Sequence, residues 1–285
     1  MQPTLPDAHC HLDEIDDPLG AIRAARDAGV GPLLVIGMDI PSSTRTLAVV
    51  EEARAAGLGD MLVTGVGIHP SHVPGWDDER LEREFAFVYE NLPRVDCLGE
   101  VGLDYKDAVD EPQRRRQHDV LDRQLHLAAA LRRPVSFHSR RAERPSVSRA
   151  AEFTAATGLG INLHWFTHSE KMAKKCGEAG VYISVGPAIL WRPEQAKVAA
   201  LIHPDFLLTE TDCPVPFNDE SARPAWVARV GARLAELRGE SLESLTERLT
   251  RNFRRYLAQG TSGMTGTTGE ARGTAAADVA GEPPA

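Results

Sequence analysis

The chain has 285 residues, of which 42% are hydrophobic and 26% charged, and a formal net charge of -9. Those proportions belong to a globular protein and exclude a disordered one. The acid excess excludes a protein that coats nucleic acid by bulk charge, and leaves room for a local basic cleft. No apolar run reaches the ~18 residues of a membrane-spanning helix. Asp7, Asp13, Glu14, Asp16 and Asp17 stand where a secretory signal needs a basic and then apolar start, so a cytoplasmic protein without membrane association is expected. Cys10, Cys97, Cys176 and Cys213 are too widely spaced for a disulfide framework or a zinc ribbon, and reduced thiols are expected.

Short apolar runs alternate with amphipathic stretches along the chain. The strand-like runs are Leu5–His11, Pro32–Met38, Met61–His69, Val95–Leu103, Pro134–His138, Ile161–Phe166, Val181–Val185 and Phe206–Thr211. Between them lie stretches with helical spacing: Leu19 and Ile22; Leu81, Phe85, Val88 and Tyr89; Leu121, Leu125, Leu127 and Leu131. A last stretch from Ala225 to Leu257 carries Val230, Leu234 and Leu237, and then, after a break at Gly239, Leu245, Leu249 and Phe253. Each strand-like run is followed by a helix-like one, which is the pattern of parallel βα units. Their number and the length of the chain fit a closed (β/α)8 TIM barrel over residues 1–260. An open doubly wound sheet would place a Gly-rich phosphate loop after the first strand, and Asp7-Ala-His-Cys-His11 stands there instead. No P-loop motif occurs. Residues 261–285, rich in Gly, Thr and Ala, lack the apolar surface to offset their ordering entropy and are expected to form a disordered tail.

The chemistry sits where the runs end. His9 and His11 close the first run, and residues two apart in a strand share a side. Glu100 falls in the fourth run, His138 closes the fifth, His164 lies in the sixth and Asp212 follows the eighth. In a barrel the C-terminal strand ends share one face, where catalytic residues gather. Four imidazoles and two carboxylates suffice for two divalent ions with a carboxylate between them.

Five segments carry a family resemblance: Asp7-Ala-His-Cys-His-Leu-Asp13, Gly67-Ile-His-Pro70, Gly99-Glu-Val-Gly-Leu-Asp104, Pro134-Val-Ser-Phe-His-Ser-Arg140 and Glu210-Thr-Asp-Cys-Pro214. In this order the sequence resembles the TatD family of metal-dependent hydrolases, relatives of the amidohydrolase barrels, from about residue 5 to residue 258, and Asn252–Tyr256 is similar to the family's closing helix. The resemblance implies a DNase of exonuclease type that uses a water activated by two divalent metal ions (Mg, Mn or Zn). It implies His9 and His11 on the first ion, Glu100 between both, His138 and His164 on the second, and Asp212 at the first ion and as acceptor of the water's proton. Glu100 and Asp212 are thus the catalytic candidates, and single strands or ends of DNA the implied substrate. The chain departs from the family pattern at Trp165-Phe-Thr-His168, at Arg141-Ala-Glu-Arg144 and at Thr209. Trp165 and the segment Ser184-Val-Gly-Pro-Ala188 are similar to the TatD-type nucleases of Qat anti-phage systems.

Among other residues, His69, His72 and Arg140 are candidates to hold a substrate phosphate, and Trp165 with Phe166 to stack on a base. Asp104 is placed to orient a ligand histidine or to cap a helix. Arg141, Arg144 and Arg149 are read as solvated surface, and His118, His126 and His203 as structural. A rival reading keeps the barrel and hydrolyses a small amide, ester or lactone in a closed apolar pocket. A second rival is a non-catalytic adaptor, which lost ligands would mark, and none of the ligand residues is missing.

Overall fold

A computed structural model describes residues 3–217 and 219–258. Eight strands, β1 (Leu5–Cys10), β2 (Val30–Gly37), β3 (Leu62–Val66), β4 (Cys97–Asp104), β5 (Val135–Arg140), β6 (Ile161–Leu163), β7 (Tyr182–Val185) and β8 (Leu207–Thr209), form one sheet in sequence order. Every neighbouring pair is parallel. The helices α1 (Pro18–Asp27), α2 (Ile40–Ala55), α3 (Asp78–Asn91), α4 (Glu111–Ala130), α5 (Glu143–Thr157), α6 (Glu170–Ala179), α7 (Pro193–Leu201), α8 (Val227–Arg238) and α9 (Leu242–Ala258) follow or separate the strands. A small antiparallel pair, β9 (Pro216–Phe217) and β10 (Glu220–Ser221), stands after β8. This is the TIM barrel expected from the alternation of runs. The 261–285 tail lies outside the described residues.

The barrel closes through the stretch that follows β8. Asp212 N–H donates to the His9 carbonyl at 2.9 Å and His11 N–H donates to the Cys213 carbonyl at 2.9 Å. The buried Asp7 carboxylate accepts from the Thr211 N–H at 2.9 Å and from its hydroxyl at 2.6 Å. Burial pushes the Asp7 carboxyl well above its ordinary range, against those two hydrogen bonds.

Local chemistry sets the helices. Asp39 and Ser42 form a reciprocal capping box at α2, and Asp110 and Gln113 form one at α4. Gly158, Gly180 and Gly239 end α5, α6 and α8 in the left-handed region that glycine adopts without strain. Leu245, Leu249, Phe253 and Tyr256 recur on one face of α9 and are buried. Phe253 and Tyr256 pack with Ala8, Leu34, Cys97, Tyr182 and Leu208 inside the barrel. Cys97 and Tyr182 begin their strands, so α9 seals the end opposite the histidines. Tyr89, expected on the inner face of α3, is exposed, while Leu81, Phe85 and Val88 face the core.

Five expected strand runs end early. β1 stops at Cys10, β2 at Gly37, β3 at Val66, β6 at Leu163 and β8 at Thr209, so His11, His69, His164 and Asp212 stand on the connections beyond them. Their backbones stay tied to neighbouring strands. His69 N–H donates to the Met38 carbonyl at 2.9 Å and His164 N–H donates to the Phe137 carbonyl at 3.1 Å. The four cysteines are buried and free. No described helix is long and apolar enough to cross a membrane.

Candidate metal centre

The buried Glu100 stands at the middle of the C-terminal face, and its two oxygens look in different directions. Oε2 lies 3.3 Å from His9 Nε2 and 3.4 Å from His11 Nε2. Asp212 Oδ1 joins this group at 3.6 Å from His9 Nε2 and 3.4 Å from His11 Nε2. Oε1 lies 2.7 Å from His138 Nδ1, 2.7 Å from His164 Nε2 and 3.1 Å from His69 Nε2. His9, His11, Glu100, His138, His164 and Asp212 therefore converge, with His69 beside them.

The far ring nitrogens fix which near nitrogens are bare. His11 Nδ1 donates to the Ile36 carbonyl at 2.9 Å, because a carbonyl can only accept. His138 Nε2 donates to the Asp104 carboxylate at 3.0 Å. In the neutral rings, His11 Nε2 and His138 Nδ1 are then lone pairs aimed at carboxylate oxygens. Lone pair against lone pair is repulsive, and a cation between them removes the conflict. His9 Nδ1 bonds the Ser136 hydroxyl at 2.8 Å, which leaves its Nε2 toward the centre, 3.1 Å from His11 Nε2. Buried imidazoles and carboxylates in this arrangement could hold a divalent ion, and their partners one bond further out orient them.

His69 differs. Its Nδ1 accepts from the Ser71 backbone N–H at 3.1 Å, so the neutral ring carries its proton on Nε2. That nitrogen faces the centre as a hydrogen-bond donor rather than a lone pair.

Protons alone strain to balance the site. Burial works against the charge on Glu100, yet the surrounding imidazoles hold its carboxyl well below the usual range. Burial opposes charge on His138 too, but Asp104 and Glu100 push it up to about 9. Burial and the neighbouring His164 bring His9 down to about 4. A metal ion bound here would take up this role by replacing protons on the same lone pairs.

The centre opens into a cavity of about 560 Å³. Arg140, Arg141 and Trp165 line it, together with Glu14, Asp107 and Glu143. Trp165 has φ 44°, in the left-handed region, and its N–H donates to the buried Glu210 carboxylate, which also accepts from Ser184. Burial pushes Glu210 up to about 7. One face of Trp165 stacks on Phe217 at 5.5 Å, and Phe217 stacks in turn on Trp191 at 5.7 Å.

Other expected positions fall elsewhere. His72 is absent from the cavity wall; its Nδ1 points to Asp39 Oδ2 at 4.0 Å and its ring leans on Trp76. Phe166 is buried in the core, where a base cannot reach it. Arg149 pairs with Asp122 and Glu152. His118 bonds the Tyr105 hydroxyl at 2.9 Å. Sequence reasoning assigned no role to Asp7, Ser136 or Glu210. Glu210 left one trace, its place two residues before Asp212 in Glu210-Thr-Asp212.

An eight-stranded parallel barrel with histidines and carboxylates at its C-terminal face defines the class of metal-dependent hydrolase barrels. Residues 6–258 match the family described as TatD related DNase, and the chain belongs to that family. YjjV of Escherichia coli, named an uncharacterised metal-dependent hydrolase, is 32% identical over 257 residues, covering 86% of this chain and 95% of its own. The crystal structure of YjjV superposes with a TM-score of 0.77 at 30% identity, covering 89% of this chain and 97% of that one. A deoxyribonuclease of Homo sapiens is 27% identical over 261 residues, covering 87% of this chain and 92% of its own.

Proposed function

We propose that the chain hydrolyses phosphodiester bonds, trimming single strands or ends of DNA as an exonuclease with two divalent ions. The observation that carries this reading is the split of Glu100: one oxygen toward His9, His11 and Asp212, the other toward His138 and His164. His9, His11 and Asp212 would hold one ion, His138 and His164 the second, and Glu100 would join both. When bound, such ions lower the pKa of water toward neutrality and polarise a phosphoryl oxygen.

The chain's own residues supply the rest. Burial works against charge on Asp212, but its hydrogen bond to His11 and the surrounding imidazoles hold its carboxyl below the usual range. Asp212 is therefore an ionised carboxylate near neutral pH, able to take the proton of an attacking water. His69, with its proton on Nε2, donates to a non-bridging phosphate oxygen. Arg140 at the cavity wall offers its planar guanidinium to the same phosphate. Trp165 presents a ring at the mouth for a terminal base. His72, off the cavity wall, has no part in this contact set. The open wall with two arginines suits a polyanion better than a small carbonyl compound.

The test is a nuclease assay on end-labelled single-stranded DNA with Mg²⁺, Mn²⁺ or Zn²⁺, with EDTA and Glu100→Ala as controls. Stepwise shortening that needs metal and disappears in the variant is expected. No cleavage by protein shown to bind two ions would refute the nuclease reading and turn attention to small amides and esters.

A further inference from the structure

A second, larger hollow adjoins the metal cavity. It lies between α5 and α6 and has a volume of about 1100 Å³. Glu143 and Thr167 line both spaces, so the hollow continues the mouth instead of standing apart from it. Its volume exceeds the ~300–1,000 Å³ of a pocket for one small molecule. Arg144 on α5 and Lys171 and Lys175 on α6 line it. The two lysines are four residues apart and share a helix face.

These three cations make no ion pair among the described residues, and all three are exposed. Some surface arginines are engaged, as Arg45 is with Glu52 and Arg123 with Glu82, so what sets these three apart is their convergence on one hollow beside the metal cavity. Two acids, Glu143 and Glu178, stand on the same wall as the three cations. Glu178 faces Lys174 at 3.8 Å, and Glu143 faces His168 at 3.8 Å. His168 lines the hollow as well, with Nδ1 on the Glu143 side. It is buried at 5% exposure, its Nε2 bonds the Ser139 hydroxyl at 3.0 Å, and its Nδ1 has no hydrogen-bond partner.

We infer that the α5–α6 groove is the track for the body of a single DNA strand whose end lies at the metal centre. Arg144, Lys171 and Lys175 would neutralise successive phosphates, and Arg140 and Arg141 would hand the strand into the cavity. This rests on the nuclease reading above and adds to it where the uncleaved part of the substrate runs. It also assigns Arg141 and Arg144, read from sequence as solvated surface, to substrate.

The test compares the wild type with Arg144→Ala/Lys171→Ala/Lys175→Ala, and with Lys171→Glu/Lys175→Glu in case the triple variant misfolds. Binding of a fluorescein-labelled 20-nucleotide strand and of a labelled trinucleotide is read by anisotropy in EDTA, where no turnover occurs, across a salt series. Hydrolysis of bis(4-nitrophenyl) phosphate with Mn²⁺ monitors the metal centre. Loss of three phosphate contacts should lower the slope of log affinity against log salt by about 2 and weaken the 20-mer on the order of tenfold or more at low salt. Trinucleotide affinity and small-diester turnover should stay at wild-type values. Unchanged 20-mer affinity and slope, an equal loss on the trinucleotide, or wild-type preference for duplex over single strand would overturn the groove. If the wild type shortens DNA while the variants bind as it does, the groove alone is wrong. If the wild type shortens no DNA with any metal, the nuclease reading itself has failed.

Discussion

Asp104→Asn tests the logic of the metal centre without touching a donor atom. Asp104 is buried, with Oδ2 accepting from His138 Nε2 at 3.0 Å and Oδ1 accepting from the Lys106 N–H at 2.9 Å and the Asp107 N–H at 3.3 Å. Burial alone would raise its carboxyl, but the hydrogen bond and charge of His138, the Lys106 N–H and Arg140 together outweigh this and hold it below the ordinary range. An asparagine has one acceptor atom for these two duties. With its NH2 toward His138, two donors oppose each other unless the ring shifts its proton to Nδ1, which removes the lone pair facing Glu100. With its NH2 turned away, it meets two backbone N–H groups. Losing a carboxylate behind a ligand histidine costs about 10–100-fold in metal affinity, or roughly 1.4–2.8 kcal/mol. Competition with a chromophoric chelator should show the ion that His138 and His164 would hold weaken by that factor, while the ion at His9 and His11 is unaffected. Excess metal should restore most of the turnover, and Asp104→Glu, which keeps the charge, should lose less. Two ions bound with wild-type affinity in Asp104→Asn would refute the reasoning.

Two further outcomes follow from packing. Gly102 in β4 lies opposite His138 with φ 147°, and a Cβ there would stand 2.1 Å from the His138 carbonyl oxygen. Gly102→Ala should therefore destabilise the chain by about 3 kcal/mol through overpacking and backbone strain, lowering Tm by roughly 6–12 °C; calorimetry showing no shift would contradict this. Burial pushes the Cys97 and Cys176 thiols up to about 12. At pH 8 the folded protein should leave a thiol reagent such as DTNB unreacted, and denaturant should release all four cysteines. Because these folded-state values lie above the unfolded ~8.5, their contribution to stability is complete below that pH and is lost as pH rises toward 12. Reaction of the folded protein at pH 8 would contradict the burial.

Much of the fold was legible because barrel strands, buried on both sides, read as short apolar runs between amphipathic ones. The donor residues were legible because His, Glu and Asp at the ends of such runs are costly unless used. Their supports were not. Ser136 reaches His9 from 127 residues away, and Asp7 holds Thr211 across 204. Neither carries a local signal, since serines and aspartates are common and their partners are set by barrel closure. His72 follows His69 on the connection after β3, but it stands at the start of the turn Val73–Gly75, facing Asp39 and Trp76. Arg144 was discounted because a run of charge on a helix is normally solvated. Only the packing of α5 against α6 brings it to the same hollow as Lys171 and Lys175.

The net charge of -9 and a DNA substrate are compatible because charge acts locally. At physiological salt the screening length is about 8 Å, so a strand at the mouth feels mainly the groups beside it. Those groups are unevenly placed. Arg140 and Arg141 stand on the side that continues into the α5–α6 hollow, where Asp107 and Glu143 also reach the wall, whereas the connection after β1 brings Glu14 and no cation to the cavity, with exposed Asp16 and Asp17 next along the chain. An internal segment of a strand must leave the centre in both directions, and one of them passes this acidic edge. A strand end needs one exit. In the proposed nuclease reading a strand end would therefore suit this mouth better than an internal segment, and circular single-stranded DNA is expected to survive conditions in which the linear form is degraded.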